Sequence, residues 1–217
     1  MYKRQGHTIP VEQLANQDID IVHTARMLRE RMKHLLAALP DTEANKERLA
    51  VGQLIAEQAF TQLNRFCALR MCEERELILE SIHNGYGSVG FQSYDAIASQ
   101  IAKPKYNRYK WYLHSIFDEL SVELPAVFDR FSPYGLVFPD ENTLLRLLDL
   151  INDTQLSEWY DEQNGMTVNF WKEDETLGWM FQDYNSLEER RKMREESNKP
   201  RNSREMAVRN QFFTPEY

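Results

Sequence analysis

The chain is poor in several things that would decide its class. It has 2 cysteines in 217 residues, too few for a disulfide scaffold and in keeping with a reducing compartment. Its 8 glycines and 8 prolines exclude collagen and flexible low-complexity chains. No apolar run approaches the length of a membrane-spanning helix. The opening MYKRQGHTIPVEQ has no apolar core after its charges, so it does not read as a secretory signal. Positive charge is also in deficit, with 26 Lys and Arg against 34 Asp and Glu and a formal net charge of −8. That balance alone argues against wholesale nucleic-acid binding. What remains is a globular composition, 42% apolar and 12% aromatic, with length for about one domain.

The acidity is local. Residues 112–185 carry 15 acidic and 3 basic side chains, while the rest of the chain is neutral or slightly basic. Such a stretch reads as a solvated, solubilising face, or as a dock for a basic protein partner.

Apolar spacing predicts helices nearly throughout. Leu14, Ile21, Ala25, Leu28, Met32, Leu35 and Leu39 form one stripe after Pro10, ended by Pro40-Asp41. Thr42–Ile82 is the longest periodic segment. Its stripe runs Val51, Ile55, Ala59, Leu63, Phe66, widened by Leu54, Phe60, Cys67 and Met71. The glycines of Asn84–Gly90 end it. Two shorter helices flank Lys103-Pro104, and Leu113, Ile116, Phe117 and Leu120 form the apolar face of the second. Ser132-Pro133-Tyr134-Gly135 reads as a turn. Asp140 reads as an N-cap with Glu141 in the first turn, before Leu144, Leu147, Leu148 and Ile151. Thr154 is the expected cap of a helix carrying Leu156, Trp159 and Tyr160, broken at Asn164-Gly165. Thr176–Tyr184 reads as a further short helix, and Ser186–Arg209 as a charged helix and linker. No stretch shows sustained strand alternation, so the class is mainly α, an irregular multi-helix domain.

Self-contained chemistry is hard to find. His7, His23, His34, His83 and His114 do not pair with Cys, Asp or Glu at a metal spacing, so neither a metal site nor a catalytic residue is assigned. Cys67 and Cys72 lie about 140° apart around a helix and read as separate buried thiols. No G-x-S-x-G, P-loop or G-x-G-x-x-G occurs. The Gly85–Gly90 loop follows a helix rather than a strand, so its likeness to a phosphate loop is superficial.

One segment points to nucleic acid. Lys103-Pro104-Lys105-Tyr106-Asn107-Arg108-Tyr109-Lys110-Trp111-Tyr112 interleaves four cations with four aromatics. Cations neutralise phosphates, and exposed rings stack on unpaired bases. Lys103, Lys105, Tyr106, Arg108, Tyr109 and Lys110 are therefore the candidate nucleic-acid-binding residues. The same pattern also fits aromatics packed inward beneath solvated lysines.

Three segments, taken in order, resemble a known family. They are Ala59–Arg75 (AFTQLNRFCALRMCEER), Leu177–Asn185 (LGWMFQDYN) and Gln211–Tyr217 (QFFTPEY). They look like the region before the catalytic domain of large adenine-specific DNA methyltransferases of BREX-like and DISARM-like phage-defence systems. The likeness covers roughly residues 50–217. It implies a helical N-terminal domain over 1–185, a charged helix and linker over 186–210, and the start of the methyltransferase domain at 211–217. It implies S-adenosylmethionine as cofactor, touched by Phe213, Thr214 and Pro215. It also implies double-stranded DNA and other defence-system subunits as partners, in the cytoplasm and without a membrane. Thr214-Pro215 independently fits an N-cap followed by a first-turn proline. The glycine-containing cofactor loop, the Asn-Pro-Pro-aromatic motif and the Rossmann-like alternation of these enzymes do not occur in the chain. The resemblance therefore implies a scaffolding and DNA-contacting part, inactive alone. The rival reading is a non-enzymatic interaction module that docks protein partners through the acidic 112–185 region.

Overall fold

A computed structural model describes residues 3–4, 7–8, 19–39, 45–100, 104–162, 165–178 and 180. The fold is mainly α. The chain divides into two compact units, Met1–Asn152 and Asp153–Tyr217. That division falls inside the single helical domain expected for 1–185, and the expected boundary at 185/186 lies outside the described residues.

In the first unit, β1 (Lys3–Arg4) and β2 (His7–Thr8) pair antiparallel. Helices α1 (Ile19–Ala38) and α2 (Lys46–Glu74) follow. They bury Leu28 and Leu35 against Ala50 and Leu54, with Met32, Leu36, Leu39 and Leu136 packed around them. Arg31 reaches across to Glu57 with two bonds, at 2.8 and 3.0 Å. The stripe expected on α2 is buried in part: Leu54, Phe66, Cys67 and Met71 face inward, but the row through Ile55 and Ala59 does not. Ile55 is 62% exposed and Ala59 is exposed, whereas Ala50, Leu54, Gln58, Gln62, Arg65 and Leu69 are buried. The inward row is thus half polar, because what it faces is the backbone of a loop.

Helix α2 stops at Glu74, well short of Ile82. Leu77 N donates to the Cys72 carbonyl and Glu76 N to the Glu73 carbonyl, with Glu76 left-handed at φ 58°. This is a Schellman ending with glutamate in the place glycine usually takes. The turn Gly85–Gly87 leads into α3 (Val89–Ala98), and α4 (Lys105–Leu120) packs against it. A short helix, α5 (Pro125–Phe128), precedes the 129–139 loop and α6 (Glu141–Ile151). Asp140 caps α6 as expected, accepting from Thr143 N at 3.1 Å. Phe66, Phe117 and Phe128 are fully buried where α2, α4 and α5 meet, with rings 5.8–6.5 Å apart. Burying each contributes about 2–3 kcal/mol.

The second unit corrects the sequence reading. The helix α7 (Thr154–Ser157) is only one turn, and its cap is Asp153 rather than Thr154. Trp159 and Tyr160 lie in a strand. β3 (Glu158–Asp161) pairs antiparallel with β4 (Met166–Asn169), with Trp159 opposite Val168 and Tyr160 opposite Thr167. Gly165, left-handed at φ 65°, stands at the start of the return strand, so the expected helix break is a hairpin connection. A 3₁₀ turn, Phe170–Lys172, follows and buries Trp171. The helix expected over Thr176–Tyr184 and the charged segment after Ser186 fall largely or wholly outside the described residues.

Candidate functional site

Helix α4 is amphipathic, and its buried face is Tyr109, Tyr112, Leu113 and Phe117. Two of the four aromatics of the 103–112 segment, Tyr109 and Tyr112, are therefore turned into the core, and Tyr106 and Trp111 are half-buried. Tyr109 is fully buried and its hydroxyl donates to the Ser81 carbonyl at 2.6 Å. Its ring sits edge-on to Tyr86 and Phe91, both 5.0 Å away between centroids. Burial pushes its phenol well above the ordinary range. The expectation that Tyr109 stacks on a base is thus overturned: the helical period turns it into the α3–α4 core. Tyr106 is half-buried and donates to the Pro139 carbonyl at 2.6 Å. It anchors the start of α6 rather than offering a free ring.

The cations sit at the rim of this core. Lys105 is exposed, with Nζ 5.4 Å from the Tyr86 centroid. Arg108 pairs with Asp95 across α3 at 2.5 Å and holds that carboxyl below its ordinary range. Lys110 Nζ lies 5.5 Å over the Phe138 ring. Lys103 lies outside the described residues, as do Phe213, Thr214 and Pro215. The structure brings Lys105, Arg108 and Lys110 onto one helix with positive charge at the surface, but each already touches a ring or a carboxylate.

The start of α3 offers no opening for a phosphate. Val89 N donates to the Glu80 carboxylate at 3.0 Å and Gly90 N to the Glu80 carbonyl at 2.8 Å. The loop before it is held by Glu73 at the end of α2. This buried carboxylate accepts from Ser81 N at 2.5 Å, from Ile82 N, and from His83 N at 3.0 Å. Burial raises the Glu73 carboxyl, and the three amides and Arg70 pull it back. Tyr112 joins the network through Ser81 Oγ at 2.7 Å, and Asn152 donates to the Ile82 carbonyl at 2.9 Å.

A second polar network went unread in the sequence. Gln58, Gln62 and Arg65 share one face of α2. Gln58 Nε2 donates to the Pro133 carbonyl, and its Oε1 accepts from Leu136 N and Val137 N. Gln62 Nε2 donates to the Gly135 carbonyl at 3.1 Å. Arg65, 1% exposed, donates to the carbonyls of Val127, Asp129 and Gly135 at 2.7, 2.7 and 2.8 Å. Burial lowers its guanidinium to about 10, opposed by Asp129, so it stays charged at neutral pH. It meets the carbonyl end of α5, where a cation is favoured. The signal was the i, i+4, i+7 spacing of these three residues in register with Ala50 and Leu54.

The described residues hold no cluster of three or more His, Cys, Asp or Glu arranged for a metal. None of the described helices is long and apolar enough to cross a membrane. Cys67 is buried and its thiol is pushed up to about 12, so it is no nucleophile. Comparison with known proteins finds no matching family, no similar curated protein and no similar solved structure.

Proposed function

We propose that the chain is the helical front part of an S-adenosylmethionine-dependent N6-adenine DNA methyltransferase that marks host DNA in phage defence, acting in the cytoplasm with double-stranded DNA and other defence subunits. The reading rests on the three resembling segments. One observation carries it further: the first of them, Ala59–Arg75, is the half of α2 that organises the first unit. Its Arg65 holds the 127–135 carbonyls and its Glu73 holds the 81–83 amides. A segment that serves as a structural hub fits a scaffolding role.

The catalytic steps belong to residues beyond this helical part. S-adenosylmethionine would supply the methyl group and the enzyme would extrude the adenine from the duplex. Phe213, Thr214 and Pro215 would approach the cofactor. Lys105, Arg108 and Lys110 would contribute phosphate contacts, which position DNA without reading its sequence.

The test is methylation by the full-length product of the reading frame, using labelled S-adenosylmethionine and host DNA. Label in N6-methyladenine is expected; its absence with intact cofactor binding would overturn the reading. Replacing Lys105, Arg108 and Lys110 by Glu is expected to weaken DNA binding and to flatten its salt dependence. Unchanged DNA affinity would remove α4 from the interface and leave the methyltransferase reading to the label.

A further inference from the structure

We infer that the end of α4 and the Phe131 loop form a docking surface for a basic amphipathic segment of a protein partner. Three apolar side chains stand in solvent there. Val122 is 79% exposed, Phe131 59% and Leu124 55%. Val122 and Leu124 belong to the turn that closes α4, where Val122 N donates to the Glu119 carbonyl and Leu124 N to that of Leu120. Arg130 links that end to Phe131, bonding Asp118 at 2.6 Å while its guanidinium lies 4.5 Å over the Phe131 ring.

This surface is preorganised. Arg65 grips the Val127 and Asp129 carbonyls, Asp129 accepts from Phe131 N at 2.9 Å, and Phe128 is fully buried against Phe117. A loop held in place in this way would bind a partner at a lower ordering cost.

Charge identifies the occupant. Glu119 and Glu123 are exposed beside Val122 and Leu124, while Asp118 and Arg130 offset one another in an ion pair, so the rim is net negative. A duplex would meet this rim with like charge. A second copy would set acid against acid. A segment with an apolar face flanked by Lys or Arg satisfies both features. The inference is independent of the methyltransferase reading.

The 217-residue chain is titrated with a dye-labelled amphipathic Leu/Lys peptide, read by fluorescence anisotropy. Polylysine, a Leu/Glu peptide and a DNA duplex run alongside. Saturable binding of the Leu/Lys peptide is expected. It should weaken by about tenfold or more in V122S/F131S and, separately, in E119K/E123K. Circular dichroism confirms that each variant is folded; the charge variant keeps every apolar contact, so it tests the surface even if the first unfolds. The inference fails if the Leu/Lys peptide does not bind, if folded variants bind it unchanged, or if polylysine or the duplex binds the patch as tightly. It fails equally if wild-type protein self-associates in sedimentation and V122S/F131S does not, since a second copy would then be the occupant.

Discussion

Arg65 and Gly135 are fitted to one another: Arg65 Nη1 donates to the Gly135 carbonyl at 2.8 Å, and a Cβ on Gly135 would lie 2.7 Å from Arg65 Nη2. The same Cβ would come within 2.5 Å of Thr61 Cγ2. Only glycine lets the loop backbone approach the guanidinium this closely. Gly135→Ala is expected to destabilise by roughly 2–3 kcal/mol through this overpacking. Arg65→Lys keeps the charge but loses the fork that serves three carbonyls at once, a cost of about 2–4 kcal/mol. Both are read as lower urea midpoints at unchanged slope. An unchanged midpoint for Arg65→Lys would show that the carbonyls do not depend on the fork.

Glu73 plays the complementary part for the 81–83 loop, accepting where Arg65 donates. Glu73→Gln puts an amide where three N–H groups converge, so one of the two acceptor positions becomes a donor facing donors. The expected cost is about 1–3 kcal/mol. Hydrogen exchange should quicken at the amides of Ser81, Ile82 and His83 while the Arg65-bound loop stays protected. Uniform quickening across both loops would mean that they open as one unit.

The three glycine-linked positions along α2 and α3 separate stabilising from damaging changes. Gly52 is mid-helix, and a Cβ there meets nothing within 4 Å. Gly52→Ala is expected to stabilise by about 0.5–1 kcal/mol. Glu76→Gly should act likewise, by up to about 1 kcal/mol, because Glu76 holds the left-handed position of the α2 ending at φ 58°. Gly90 is the opposite case. A Cβ there would fall 2.0 Å from the Tyr112 hydroxyl and 2.7 Å from the Glu80 carbonyl. Gly90→Ala should cost more than about 2 kcal/mol, or unfold the α3–α4 pair. Thermal melts of the three variants check the order.

Much of the helical frame was legible, and the errors have physical causes. Asp140 followed by Glu141 and a leucine stripe marked α6 correctly, because capping and spacing are local properties. The end of α2 was missed because Glu76 takes a backbone conformation that sequence rules reserve for glycine. The inward face of α2 is legible only in its apolar part, Leu54, Phe66, Cys67 and Met71; Gln58, Gln62 and Arg65 are polar yet buried, satisfied by carbonyls that lie more than 60 residues away in the chain. Trp159 and Tyr160 read as helical from a five-residue span, Leu156 to Tyr160; both are common strand residues, and pairing with β4 decided between the two. In the candidate interface, composition marked Lys105 to Lys110 but not direction. The helical period, applied to Tyr109, Tyr112 and Phe117, would have turned Tyr109 inward.

His114 makes the stability of the first unit pH-dependent in a defined window. It sits edge-on to Phe138 at 5.1 Å, and burial lowers it from 6.5 to about 4. Lys110, Arg130 and Arg65 depress it further, and Asp118 opposes them. The folded state thus holds a neutral imidazole at pH values where the unfolded chain binds a proton. Stability is complete above about pH 6.5 and falls as the pH drops toward 4, by roughly 3 kcal/mol in all. Carboxylates held low by partners, such as Asp95 with Arg108, titrate below this window and cannot account for a loss that begins near 6.5. His114→Gln removes the titrating ring along with its packing on Phe138, so its absolute stability should be lower at pH 7. The decisive reading is the slope of unfolding free energy between pH 6.5 and 4.5, which should flatten in the variant; an unaltered slope would assign the acid sensitivity to another group.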